Sequence, residues 1–244
     1  MSEWQNPYSV GTSMQSLSGG SIRDDLSSRH GTFKDIRLIT HLAVACLSVE
    51  ILLAAISTGF NITAILAEHN GSLDQLYWDE QGNDSIFSHS WDYLADTTLY
   101  AYWIGLFVYL MWVYKTQRNT WALSPDTDRP SYTPAWAAVY YLLPIVCLFR
   151  PYLIMKDVWH RSASTTHSII NIWWTLWIIS IPVSAIATHL LDSEDSAFLT
   201  ALTWSSIDDL IIITSVAIQI RIIKQITRNQ RLLAEGSDSL TLNH

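Results

Sequence analysis

The sequence has little charge and few cysteines. Asp, Glu, Lys and Arg make up 15% of its 244 residues, whereas soluble domains contain about 25%. The two cysteines, Cys46 and Cys147, lie in separate apolar stretches without metal-ligand spacing, which argues against a disulfide framework and a zinc site. A formal net charge of −8 argues against a nucleic-acid partner, which requires a clustered basic surface. We therefore expect no metal, no cofactor and no nucleic acid.

Apolar residues, in contrast, form 49% of the chain. They are concentrated in five long stretches, each close to the roughly 20 helical residues that cross a bilayer core about 30 Å thick. This pattern predicts an all-α integral membrane protein whose first partner is the lipid bilayer. The five stretches are residues 38–67, 93–114, 133–149, 168–191 and 197–220.

The distribution of charge indicates how many of these stretches cross. All fourteen Lys and Arg residues lie before the first stretch or after the second, third and fifth. The connections 68–92 and 192–195 contain acidic residues and no Lys or Arg. If the third stretch enters and returns on one side, every basic residue lies inside, as the positive-inside rule favours. If all five stretches cross, the basic residues divide evenly between the two sides.

Prolines favour the first of these topologies. Pro134, Pro144 and Pro151 recur along the third stretch, and Pro144 lies where it removes a helical hydrogen bond. We therefore predict a bundle of four transmembrane helices plus a broken, re-entrant or interfacial segment over residues 133–159, hinged at Pro144 and Pro151. An ordinary kinked fifth span is the alternative.

The same reasoning divides the chain into a membrane domain with two tails. Residues 1–34 and 233–244 are polar and are predicted to be cytosolic, the first of them disordered. Residues 35–232 form a single multi-span domain in a bacterial inner membrane. The predicted spans are residues 38–67, 93–114, 168–191 and 197–222.

Carboxylates inside the spans are candidate functional groups, because an ionisable residue at bilayer depth is costly. Glu50 lies twelve residues after Leu38, about 18 Å along a helix and near the midplane. Asp208 and Asp209 lie at similar depth, and Asp96 lies nearer the outer surface. These four residues are a candidate proton or cation relay. A buried ion pair joining Glu50 or Asp208 to Arg150 is the structural alternative.

The densest motif lies between the second and fourth apolar stretches. Its residues are Trp112, Tyr114, Lys115, Arg118, Asn119, Leu123, Pro134, Trp136, Pro144, Arg150, Pro151, Tyr152, Met155, Asp157, Val158, Trp159, Trp173 and Trp174. This motif resembles that of a bacterial membrane-protein family known as domain of unknown function 4328, with Thr133 in place of the usual Ser. The resemblance implies a multi-span inner-membrane protein and no particular reaction.

Several polar residues of this motif gather at the predicted cytosolic side. Such a cluster either clamps lipid headgroups or holds the re-entrant segment against the second span. Arg118 and Asn119 are also placed to cap the open ends of the broken helix. The cluster comprises Lys115, Arg118, Asn119, Arg150, Lys156 and Asp157.

Three functions are consistent with the sequence. The absence of a catalytic pattern favours a non-enzymatic scaffold or accessory protein that contacts lipid, a membrane-protein partner or a second copy of itself. The alternative is a small transporter or channel that uses the carboxylates of the spans. A weaker hypothesis is a lipid-modifying enzyme with His160, His167 and Asp157.

Overall fold

The computed structural model describes residues 32–78, 82–125, 127–162, 168–191 and 198–241, with side chains as far as residue 236. These residues form α-helices, one 3₁₀ turn (Val146–Leu148) and an isolated bridge between Trp78 and Asp84. Most of the predicted amino-terminal tail lies outside the described residues. The α-helices are α1 (Arg37–His69), α2 (Leu73–Tyr77), α3 (Ile86–Leu123), α4 (Pro134–Val139), α5 (Arg150–Ser162), α6 (Ser168–Leu191) and α7 (Phe198–Thr241).

Four long helices form an antiparallel bundle in which α1 packs on α3 and α7, and α6 packs on α7. Asn61 of α1 contacts Ser205 near the start of α7. Thr40, at the other end of α1, contacts Thr227 near the end of α7. The chain therefore runs up and down through α1, α3, α6 and α7, with a long connection between α3 and α6 that contains α4 and α5.

One end of this bundle carries the positive charge. We call it the basic end, and it comprises residues 32–41, 112–123, 127–135, 150–162, 168–173 and 221–236. Every Lys and Arg of the described residues lies there. The opposite end, formed by the residues around α2, carries Glu68, Asp74 and Asp84.

The proline-containing segment enters the basic end and returns to it. The Gln117 and Trp121 side chains of α3 both donate to the backbone oxygen of Tyr132, at 2.8 and 2.7 Å. Farther in, the Tyr141 hydroxyl lies 3.2 Å from that of Tyr109, about 12 Å below Gln117 along α3. Arg150 Nη1 then donates to the Tyr132 hydroxyl at 3.0 Å, which closes the loop. We call residues 133–149 the proline hairpin.

The turn of the hairpin follows Pro144, the predicted hinge. Ile145 adopts φ 67°, a conformation that a β-branched side chain rarely accepts, and the Val146 N–H donates to the Pro144 oxygen at 2.7 Å. A three-residue turn of this kind is strained. Helix α5 then begins at Arg150 and Pro151, where a proline needs no helical N–H partner.

Helices α1, α3 and α6 are long and apolar enough to cross a membrane. Helix α7 has 44 residues but does not belong to that group, and Asp208 and Asp209 interrupt its apolar stretch. It continues to Thr241 and so covers most of the range predicted as a polar carboxy-terminal tail. The structure thus shows an all-helical chain with three candidate spans.

Candidate functional site

Glu50 lies in the middle of α1 and is half-buried against α3. Its carboxylate occupies the space that a side chain at Gly105 would fill, because a Cβ built there would overlap Glu50 Oε1. Gly105 itself is buried in a helix, where glycine is unfavourable by about 1 kcal/mol relative to alanine. The close approach of Glu50 to the α3 backbone leaves no room for a side chain at position 105, which explains why a glycine occurs there.

A cavity of about 280 Å³ adjoins Glu50 between the four long helices and the proline hairpin. We call it the central cavity. Glu50 is the only ionisable carboxyl group among the described residues that line it, and no Lys, Arg or His lines it. Its volume is near the lower end of the range of small-molecule sites, about 300–1,000 Å³. Its aromatic lining consists of Tyr102, Tyr109, Tyr141, Trp173, Trp174 and Trp177.

The aromatic rings of α6 form a stacked row along this cavity. The Trp174 and Trp177 rings lie 4.8 Å apart and nearly parallel, and Trp173 and Trp174 lie 5.5 Å apart. The indole nitrogen of Trp173 is buried and has no hydrogen-bond partner within the described residues. Because indole faces attract cations, three tryptophans beside one carboxylate form a site suited to a positively charged group.

Two further cavities lie between the central cavity and the opposite end of the bundle, and Tyr102 and Ile212 line all three. One has a volume of about 320 Å³ and is lined by both Glu50 and Asp209. The other has a volume of about 680 Å³ and is lined by Asp208. Glu50 therefore lies between the central cavity and the cavity of Asp209.

Asp208 and Asp209 point to different helices, as the 100° step between neighbouring helical residues requires. The Thr58 hydroxyl and the Asn61 amide donate to Asp209 Oδ2, at 3.2 and 3.4 Å. Asp208 instead lines a cavity together with Ser184 of α6, and its Oδ1 has no partner in the described part of the chain. The fourth predicted relay residue, Asp96, is exposed on α3 and lines none of these cavities.

The predicted ion pair between Arg150 and a carboxylate of the spans is not formed. Arg150 is bound to Tyr132, and its guanidinium lies 5.7 and 5.8 Å from the centres of the Tyr132 and Tyr140 rings. The hydrogen bond to Tyr132 raises the pKa of Arg150. Since the hairpin returns to the basic end before Arg150, this side chain does not extend to the depth of Glu50.

Three residues of the predicted cytosolic cluster contact different partners at the basic end, and the buried Arg118 Nε has no hydrogen-bond partner within the described residues. The Asn119 amide binds both backbone groups of Lys34, donating to the oxygen at 2.8 Å and accepting from the N–H at 3.1 Å. It thus anchors the segment before α1 and does not cap the broken helix. Asp157 accepts from Arg161 at 2.8 Å, and Lys156 lies 5.7 Å from the Tyr152 ring.

These contacts hold α5 and the hairpin in place. Arg161 also pairs with Asp128 at 3.0 Å. Burial lowers the pKa of Arg161, but the hydrogen bonds to Asp157 and Asp128 raise it overall. Of the three residues in the lipid-modifying hypothesis, Asp157 is engaged in this structural pair and His167 lies outside the described residues.

The family of the chain is evident from a sequence comparison. The family model described as Domain of unknown function (DUF4328) matches residues 93–228, more than half of the chain. The chain belongs to the DUF4328 family. The resemblance found in the motif between α3 and α6 is thereby confirmed. No curated protein and no solved structure matches the chain.

The DUF4328 match extends from α3 into α7. It includes the proline hairpin and the aromatic lining of the central cavity, whereas Glu50 lies on α1, before the match begins. Sequence reasoning identified Glu50 but missed the residues that meet it, Gly105 and Tyr102. A lone glycine inside the apolar stretch of α3 was the available signal, because a glycine within a helix often has a packing reason.

Proposed function

We propose that this DUF4328 protein is a multi-pass protein of a bacterial inner membrane, with four spans and both termini in the cytosol. The basic end then faces the cytosol, as the positive-inside rule requires. The return of the proline hairpin to that end supports this topology, since it leaves α1, α3, α6 and α7 as the crossing helices. In α7, the two aspartates of the apolar stretch are covered by α1 and α6.

The outer faces of the bundle support contact with lipid. Large apolar side chains are exposed along all four long helices, including Leu52 on α1 (59% exposed), Trp103 on α3 (59%), Ile172 on α6 (53%) and Leu210 on α7 (57%). A soluble monomer rarely exposes apolar surface on this scale. A lipid bilayer covers such faces without a protein partner.

Within this bundle we propose that the central cavity binds a small organic cation, with Glu50 as its counter-ion. One observation carries this proposal: a carboxylate that has no basic partner among the described residues lies beside an aromatic-lined cavity. A bound cation compensates the charge of Glu50 and also interacts with the faces of the tryptophans. The shared lining at Tyr102 and Ile212 supports transport of that cation toward Asp209, which makes the protein a small transporter.

A non-enzymatic scaffold that contacts a partner or a second copy remains the second candidate. The engagement of Arg150, Asp157 and Asn119 in holding the chain together favours it, because these residues then have an architectural role. The two functions differ in one respect: a scaffold needs no ligand in the central cavity.

We predict that Glu50→Gln weakens binding of tetramethylammonium by about 30-fold, since losing one member of a buried charge pair costs about 2 kcal/mol or more. The measurement is a titration of the detergent-solubilised protein, followed by tryptophan fluorescence. The neutral molecule tert-butanol, of similar shape, serves as the ligand control and should bind weakly to both proteins. Asp96→Asn, which removes an exposed carboxylate from α3, should leave tetramethylammonium binding unchanged.

Two further arms complete this experiment. Gly105→Ala should also weaken binding, because its Cβ displaces the Glu50 carboxylate, and the shorter side chain of Glu50→Asp should restore part of the affinity in the double variant. Uptake of labelled tetramethylammonium into proteoliposomes separates transport from binding alone. Equal binding by the wild-type and Glu50→Gln proteins would exclude the cation site and favour the scaffold.

A further inference from the structure

A groove at the basic end, remote from the central cavity, has the composition of an anion site. It lies between the start of α1 and the end of α7 and has a volume of about 380 Å³. We call it the basic groove, and it is unrelated to the cation site proposed for Glu50. Its lining residues include Arg37, His41, Lys224, Arg228 and Arg231.

Two helices, α1 and α7, supply the positive side chains of this groove, and on each helix these residues are three or four positions apart. On α7, Lys224, Arg228 and Arg231 are separated by four and three residues and therefore share one face. On α1, Arg37 and His41 are separated by four residues. Both faces border the same groove, so the two helices together supply its charge.

Neighbouring carboxylates offset part of this charge. Arg37 pairs with Asp35 at 2.6 Å, and the pKa of Asp35 is lowered chiefly by the hydrogen bond from the Arg37 backbone N–H. Arg231 pairs with Glu235 at 2.6 Å. Lys224 and Arg228 have no ion pair within the described part of the chain, so two positive charges remain uncompensated in the groove.

The base of the groove is a fixed polar contact. The hydroxyls of Thr40 and Thr227 lie 2.9 Å apart and are buried, and the Trp112 indole N–H donates to Thr227 at 3.4 Å. This contact holds α1 and α7 at a constant separation below the charged groups. The groove therefore needs little rearrangement to accept a ligand, which favours binding.

We infer that the basic groove binds the phosphate group of an anionic phospholipid. In the four-span topology the groove lies at the cytosolic headgroup level, where basic pockets between helices attract anionic lipids. Arginine and lysine are the side chains that recognise phosphate. Leu38 of α1 is 77% exposed beside Arg37 and provides an apolar surface for the acyl chain of the same lipid.

The test compares two double variants that remove the same charge. Lys224→Gln with Arg228→Gln removes two positive charges from the groove. Lys115→Gln with Lys156→Gln removes two positive charges from the basic end outside the groove. Binding of phosphatidylglycerol to the full chain in neutral detergent is measured by native mass spectrometry, with phosphatidylcholine, a zwitterion without net charge, as the reference. We expect about tenfold weaker phosphatidylglycerol binding in the groove variant and a change below twofold in the other.

Further arms identify the ligand and control for folding. Lys224→Arg with Arg228→Lys keeps both positive charges and should retain lipid binding. An unchanged helical circular dichroism spectrum confirms that the Lys224→Gln, Arg228→Gln variant is folded. Failure of millimolar inorganic phosphate to displace the lipid supports the phospholipid assignment, whereas full displacement overturns it in favour of a free phosphate anion. An equal loss of lipid binding in the two double variants overturns the site itself.

Discussion

Cysteines introduced at Ser131 and Ser168 are expected to react with a membrane-impermeant thiol reagent from the same side as a cysteine at Leu232. A cysteine at Asn70 should react only from the opposite side. All four positions are exposed, and the background variant replaces Cys46 and Cys147 with alanine. Labelling in intact and in inverted membrane vesicles gives an all-or-none result for each position.

The expectation follows from the shape of the proline hairpin. Ser131 precedes the hairpin and Ser168 follows α5, and the contact between Arg150 and Tyr132 brings the two ends of the hairpin together. A spanning segment would separate these ends by about 30 Å. If Ser168 reacts from the same side as Asn70, the third apolar stretch crosses and the four-span topology is wrong.

The existence of this hairpin was predictable from the sequence because its causes are local. Pro144 removes a helical hydrogen bond whatever surrounds the segment. The positions of Lys and Arg indicate which connections lie on the same side of the membrane. The turn at Ile145 was not predictable in detail. It depends on contacts that fix the path of the hairpin through the bundle, Tyr141 with Tyr109 and Arg150 with Tyr132.

The candidate site was predicted only in part, for the same physical reason. The depth of Glu50 follows from counting helical residues, but its contact with Gly105 depends on the rotation of α1 relative to α3. The pairing of Asn119 with Lys34 joins residues 85 positions apart, and no local pattern specifies it. Charge alone suggested that Arg150 pairs with a carboxylate, whereas the path of the chain places it beside Tyr132.

The packed part of the molecule lies at the basic end, where helices and hairpin meet. Its buried side chains come from α1, α3, α5, α6 and α7, as well as from the hairpin. Toward the opposite end the same helices enclose the cavities lined by Asp208 and Asp209. The proposed ligand path therefore begins beside the packed part, whose Leu47, Tyr109, Trp173 and Val216 line the central cavity, and continues toward the opposite end.

Trp112 is the largest fully buried side chain among the described residues. It is 0% exposed, its ring stacks on Tyr109 with centroids 5.8 Å apart, and its indole N–H donates to Thr227. Thr227 in turn holds Thr40 of α1. One residue of α3 thus contacts α7 directly and fixes the polar contact between α7 and α1.

Trp112→Ala is expected to lower the free energy of unfolding by about 4 kcal/mol, since truncation of a buried tryptophan leaves a cavity that neighbouring side chains fill only in part. In a bilayer this loss persists, because packing contacts drive helix association there. The measurement is a denaturation curve in mixed detergent micelles.

Trp103→Ala provides the matched control: Trp103 lies on the same helix but is 59% exposed, so its removal should change stability by about 0.5 kcal/mol or less. Trp112→Phe, which keeps an aromatic ring and loses the hydrogen bond to Thr227, should fall between the two. Equal effects of the alanine variants at 103 and 112 would show that the basic end is not the stable half of the bundle.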